Sequence, residues 1–430
     1  MHDNNRLKMS RVMVWCLAAG LFTLETSAQV DVKDWPQFRG PGGLGVGTGT
    51  DLPLTWSATE NVDWKTALPG PGTSSPIVVG DRIFLTCYTG FNVPGDDQGD
   101  MQQLKLHVLC LDRHNGEIHW TTDVTPVLPE QDRIREGHGY ASSTPVSDGE
   151  RVYVFFGKSG VFAFDMEGRQ QWRADVGSEL NGWGSAASPV VWGDLLIVNA
   201  SVESQSLVAL DRKTGEEKWR AEGIKEAWNT PLVVSLKEGG QELVVGMPKQ
   251  VMGFDPATGE SLWHCANDIQ WYIAPSAVAQ DGIVWSIGGR SGTAAVAVRA
   301  GGRGDVTETH RIWTSGKGSN VSSPVVHDGH LYWAHDNLGI AYCAEAKTGR
   351  VVYEERLPRA GQVYASPILA DGRVYYVSRG GRTFVLPARP EYELLAVNDL
   401  DDRSTFNASP AVAGRRLLLR SDAFLYCVGE

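Results

Sequence analysis

A chain of 430 residues with 42% hydrophobic and 21% charged side chains has the length and composition to bury a large core, which excludes a wholly disordered protein. Its formal net charge of −12 comes without any basic run, which argues against nucleic-acid backbone binding as its main task.

The first 28 residues have the parts of a secretory signal: Arg6, Lys8 and Arg11 in a basic start, an apolar stretch at 12–22, and small residues at Thr26, Ser27 and Ala28. The apolar stretch is too short to span about 30 Å of hydrocarbon as a helix. Cleavage after Ala28, export to the periplasm or beyond, and a mature chain without a transmembrane segment are the expectation. Met13, Val14 and Trp15 before Cys16 do not form a lipid-anchor site. Residues 29–60 read as an N-terminal extension that runs across the surface. Its run from Gly40 to Gly45 matches the glycine pattern of dinucleotide-binding loops, but no strand precedes it and no helix follows, so it reads as glycine-rich extension only.

From there a repeat governs the chain. A small or Ser/Thr-containing approach to proline recurs at Pro76, Pro145, Pro189, Pro231, Pro275, Pro324, Pro367 and Pro410. Each proline opens three short apolar runs separated by tight turns, and the third turn has its own signature. Asp211 to Trp219, with Gly215 between, returns as Asp255, Gly259 and Trp263, as Asp112, Gly116 and Trp120, and as Asp165, Gly168 and Trp172. The Asp side chain bonds turn amides, Gly takes the positive-φ position, and the Trp lies on the strand that follows. Four strands per unit of about 40–50 residues, repeated eight times, give an all-β, eight-bladed propeller of four-stranded antiparallel blades over 61–430. The eighth unit stops after three strands, and residues 61–68, carrying Trp64, are expected to supply its fourth strand and close the ring.

Two insertions enlarge the first unit: residues 90–103 between its second and third strands, and residues 125–139 between the first and second blades. In a propeller both loop classes emerge on one face, so they should rise side by side. The same face should collect Arg135, His138, Tyr140, Trp183, Trp228, Asn229, Trp271, Tyr272, Tyr364, Asn320 and Asn407 from the inter-blade loops. Arg290, His335, Asp336 and Arg379 should join them from the other class. Aromatic faces mixed with amides and arginines suit a glycan, a quinone acid or an extended peptide. Asp96, Asp97 and Asp100 lack EF-hand spacing and read as a solvated acidic loop. His107, His119 and His264 read as structural. Cys87, Cys110, Cys265, Cys343 and Cys427 read as buried thiols, without a zinc or haem-attachment pattern.

At 211–219 and 255–263 the chain resembles the tryptophan-docking repeats of pyrroloquinoline quinone (PQQ) propellers, and the resemblance covers about residues 60–430. Trp35-Pro36-Gln37-Phe38-Arg39-Gly40-Pro41 and the run 137–145 also resemble a bacterial group of secreted PQQ-like propeller proteins. The resemblance implies the fold, and offers two kinds of function: PQQ- and calcium-dependent alcohol or sugar dehydrogenases, and non-catalytic BamB-like propellers of outer-membrane protein assembly. The adjacent cysteine pair common in the dehydrogenases is absent, and their calcium ligands and catalytic aspartate have no matching motif here. No catalytic, cofactor-binding or metal residue is therefore carried over, and no cofactor is expected. The expectation is a monomeric binding scaffold of the cell envelope that engages a protein or polysaccharide through the insertion-bearing face. A PQQ- and calcium-dependent dehydrogenase and a BamB-like assembly factor are the alternatives.

Overall fold

A computed structural model describes residues 1–2, 34–290 and 292–429. The expected leader and the start of the extension lie outside the described residues, save Met1 and His2. Among those described, no helix is long and apolar enough to cross a membrane.

The described strands form eight sheets, each built on four antiparallel strands, with a fifth, parallel strand added to the fourth sheet. The first blade comprises Ile77–Val79, Arg82–Thr89, Lys105–Asp112 and Ile118–Val124. In the eighth, Val62–Ala67 pairs antiparallel with Phe424–Val428 and completes the sheet begun by Ala411–Ala413 and Arg416–Arg420. The chain start thus closes the ring and removes two free sheet edges.

Five of the eight seams between blades are built by the turn signature. Trp172, on the outer strand of the second blade, lies over the turn of the third. Its Nε1 donates to Arg212 O (3.1 Å), and a Cβ added to Gly215 would come within 2.7 Å of the indole. Gly215, at φ 76°, therefore answers two demands, a left-handed turn and a flat floor for the ring. Trp64, Trp120, Trp219 and Trp313 repeat the contact on Arg113 O, Met166 O, Pro256 O and Ala346 O. Small residues stand opposite these rings on the neighbouring strand: Ala163, Ala209 and Ala297, and in the cysteine repeats Cys110 and Cys427. All five cysteines described are buried and free, and burial pushes Cys110 and Cys427 up to about 12. They act as small hydrophobes.

The fourth-to-fifth seam departs from the rule. The fifth blade lacks the signature turn and instead carries an insertion. In it, Gly304–Asp305 adds a parallel strand to the fourth blade beside Trp263, followed by the single helical turn Thr307–His310. The wider spacing from Pro275 to Pro324 arises here.

At the axis the eight blades are tied by one closed circuit. The backbone N–H of Ser75 donates to Thr144 Oγ1 (2.9 Å), Thr144 to Ser188, Ser188 to Thr230, Thr230 to Ser276, Ser276 to Ser323, Ser323 to Ser366, and Ser366 to Ser409, each 3.0 Å. Ser409 N–H returns to Ser75 Oγ at 3.0 Å. Seven of the eight hydroxyl residues immediately precede the repeat proline. In the fifth blade Ser276 follows Pro275, so that proline stands early in the register while the hydroxyl keeps its place.

The extension does not cross the outer surface. It runs along the inner ends of the blades, with Trp35 bridged to Val78 and Val46 to Leu369. Trp35, Arg39, Leu52 and Trp56 are buried. Arg39 donates to Gly43 O (3.2 Å), Leu44 O (3.0 Å) and Pro324 O, and burial lowers it to about 9. The glycine run serves this packing: Gly40 has φ 70°, and a Cβ there would sit 2.5 Å from the Trp35 ring.

Candidate functional site

The two first-blade insertions are bonded to one another. Asn92 Nδ2 donates to Asp132 O (2.6 Å) and to Tyr140 Oη (2.9 Å), while Tyr140 Oη donates to Gln131 O (2.7 Å). Gln98 Nε2 donates to Asp132 Oδ1 (3.1 Å), and Tyr88 meets Tyr140 edge-on at 5.3 Å. Tyr140 is thus the pin between the loops, and burial pushes its hydroxyl up to about 12. Beside this wall runs an open groove lined by Arg133, Arg135 and Arg290 with Tyr88, Tyr140 and Trp183, and among the described side chains no acidic one lines it.

Trp183 and Arg290 also belong to a second concavity, a well of about 280 Å³ on the propeller axis. Aromatic residues form much of its wall. Tyr272 packs against Trp183 at 5.6 Å and Trp228 at 5.4 Å, and Trp228 is held by its Nε1 donating to Gly184 O (2.7 Å). The guanidiniums of Arg290 and Arg135 lie 4.5 and 5.2 Å from the centre of the Trp183 ring, a favourable cation–π arrangement. His138 Nε2 donates to Trp183 O, and its Nδ1 lies 2.6 Å from Ser142 Oγ. Because a carbonyl only accepts, Nε2 carries the proton. All eight hydroxyls of the axial circuit line the well, and Phe38 of the extension also reaches it.

The structure sorts the residues expected on this face. His138, Trp183, Trp228, Tyr272, Arg290 and Tyr364 share the well, while Arg135 and Tyr140 line the adjoining groove. Arg379 stands behind, its guanidinium 4.4 Å from the Tyr364 ring and donating to Gln362 Oε1 (2.8 Å). Asn229 is instead a buried clamp, donating to Gly246 O (2.7 Å) and accepting from Gly246 N (3.1 Å). Asp336 is fully buried, accepts from Asn320 N (2.9 Å) and Asn337 Nδ2 (2.8 Å), and lies 3.6 Å from His335 Nδ1. Trp271 is 62% exposed and lines neither concavity.

Several residues that matter here had no place among those candidates. Phe38 carries no local signal of its destination, because only the folded extension brings it to the axis. Glu203, 2% exposed, accepts from Ser185 Oγ. Burial pushes it up to about 7, and Glu130 in the second insertion, pushed up to about 6 by its own burial, adds to the rise. A buried carboxylate on a loop of otherwise ordinary sequence leaves no motif.

Residues 104–352 and 277–389 match the family model described as outer membrane protein assembly factor BamB. A BamB from Burkholderia pseudomallei is 23% identical over 450 residues, covering 98% of each chain. The structure of BamB from Moraxella catarrhalis superposes with a TM-score of 0.58 at 13% identity, over 84% of this chain and 95% of that one. A quinohemoprotein alcohol dehydrogenase from Comamonas testosteroni superposes at 0.66 and 12% identity, over 92% of this chain and 81% of that one. Both superpositions show the shared fold and nothing about activity. With its family match extending over more than half its length, the chain belongs to the PQQ-like propeller family described as outer membrane protein assembly factor BamB.

Proposed function

We propose that this protein is a non-catalytic scaffold of the cell envelope, acting in outer-membrane protein assembly by holding a protein partner against the insertion-bearing face. Full-length similarity to a BamB supports the role. The observation that carries the choice of face is the groove beside the paired insertions, where Arg133, Arg135 and Arg290 line a path with aromatic walls and, among the described side chains, no acidic one, in a chain of net charge −12. Such a surface favours an extended, acidic segment, with the aromatic rings supplying contact area and the arginines steering and register.

The test is capture of envelope proteins by the exported protein and by Arg133→Glu/Arg135→Glu. Both side chains are exposed, so the variant keeps its fold. Capture weakened at least tenfold, with a steeper loss in the unaltered protein as salt rises, is the expected result. Equal capture by both proteins removes this face from the proposal, and retention of polysaccharide instead of protein replaces the partner. A parallel titration with PQQ and Ca²⁺ addresses the dehydrogenase alternative. Saturable thermal stabilisation with alcohol-dependent dye reduction would overturn the non-catalytic reading.

A further inference from the structure

The circuit of hydroxyls at the axis has a property beyond tying the blades together. Each of its eight oxygens accepts one backbone N–H, yet among the described residues none donates its own proton to a protein acceptor. Accepting an N–H polarises a hydroxyl and strengthens it as a donor. All eight face one well, and buried donors without acceptors call for an acceptor from outside.

Three further observations narrow what that acceptor is. No acidic side chain lines the well among the described residues, whereas Arg290 does, in a chain that is strongly acidic overall. Two lining amides are unsatisfied: Asn320, 92% buried, has no partner for Oδ1, and Asn407 has none for Oδ1 or Nδ2. Trp183, Trp228, Tyr272 and Tyr364 add an aromatic wall, and the volume of about 280 Å³ lies just below the roughly 300–1,000 Å³ range of ligand pockets.

We infer that the axial well is a carboxylate-binding site, which takes the acid group of an aromatic or apolar molecule of single-residue size over the hydroxyl ring. The donors are fixed by the ring, so they need no reorganisation when the acid arrives. The aromatic wall takes the body of the ligand, and the amides of Asn320 and Asn407 accept and donate to its remaining polar atoms. The same chemistry is offered by a free small acid and by the terminal residue of a peptide chain. This inference goes beyond the scaffold reading: Arg290 and Trp183 line both concavities, but the hydroxyl ring and Asn407 belong to the well and not the groove, and Arg133 and Arg135 to the groove and not the well, so variants at Asn407 and at Arg133 and Arg135 test the two separately.

Calorimetric titration of the intact exported protein with N-acetylphenylalanine, its primary amide and phenylacetate tests it. The expected result is one site per chain for the acids and at least tenfold weaker binding of the amide. Arg290→Gln should weaken the acids at least tenfold. Asn407→Ala, which removes no hydrogen bond of the folded chain, should weaken N-acetylphenylalanine about fivefold. N-acetylphenylalanine binding more tightly than phenylacetate would assign the well to a chain terminus, and the reverse order to a free acid. Equal affinity for acid and amide, no heat from either acid at millimolar concentration, or unchanged affinity in both variants would each overturn the inference. Partner capture by the same preparations separates this result from the fate of the scaffold reading.

Discussion

The seam between the second and third blades and the seam between the fourth and fifth solve one problem by different means. At the first, Trp172 rests on Gly215 and gives its N–H to a backbone carbonyl. At the second, the fifth blade has no such turn, so Trp263 turns to its own sheet and donates to Glu242 Oε2 (2.7 Å). Glu242 is 1% exposed and also accepts from Gly301 N (3.0 Å) and Arg303 Nη1 (3.1 Å), both from the insertion that displaced the turn. A buried indole N–H requires an acceptor, and when the repeat withdraws its carbonyl a charge is brought in and neutralised by donors from the same insertion. Regular seams are therefore interchangeable modules, whereas the irregular one is a single network in which each member needs the others.

The sharpest way to break that contrast is Glu242→Leu. It strands the buried Trp263 N–H and removes the shared acceptor of the exposed Gly301 and Arg303, and should cost about 3 kcal/mol in urea unfolding, at the upper end for orphaning a buried donor. A loss no larger than that from Trp172→Phe would show that the two seams are equivalent after all.

A second buried carboxylate sharpens the comparison, because Glu203 has Ser185 as its donor where Glu242 has three. Burial raises Glu203 from 4.5 to about 7, so the folded state binds its proton more tightly than the unfolded chain does. The sign follows: its contribution is fully present below about pH 4.5 and is lost as pH rises through about 7, amounting to about 3 kcal/mol. Unfolding measured from pH 4.5 to 8 should show this decline, and Glu203→Gln should flatten it. An unchanged pH profile in that variant would assign the decline to another group.

The smallest effect is expected at the regular seam itself. Trp172→Phe keeps an aromatic ring on Gly215 and removes one neutral hydrogen bond, for a loss of about 1 kcal/mol, with neighbouring blades unaffected in hydrogen exchange.

What the sequence reveals follows the same division. The ring, its eight units, the closing strand and the tryptophan turns are legible because each rests on a local pattern that recurs, so that one clear example interprets the others. Pro275 misleads by two residues, because the repeated geometry belongs to the hydroxyl at Ser276 and not to the proline, which here precedes the hydroxyl instead of following it. Asn229 and Asp336 have the polarity of ligand-binding residues, but Asn229 is consumed by the backbone of Gly246, and Asp336 by Asn320 N–H and the neighbouring Asn337 amide, which no local pattern reports. Phe38 and Glu242 were hidden for a related reason. Their roles are fixed by where a non-repeating segment lands, and a segment without a period carries no register from which its partners can be read.

The hydroxyl circuit has a consequence for how the molecule is assembled. Seven of its links join neighbouring blades 42 to 69 residues apart, but the eighth, from Ser409 to Ser75, joins residues 334 apart. Until the last blade emerges from the ribosome, the earlier ones form an open arc whose leading edge awaits a partner at the far end of the chain. Closure is thus an all-or-nothing event placed at the end of synthesis, paid in loop-closure entropy only once, and a chain cut short in its final blade should remain an open arc prone to pairing with its neighbours.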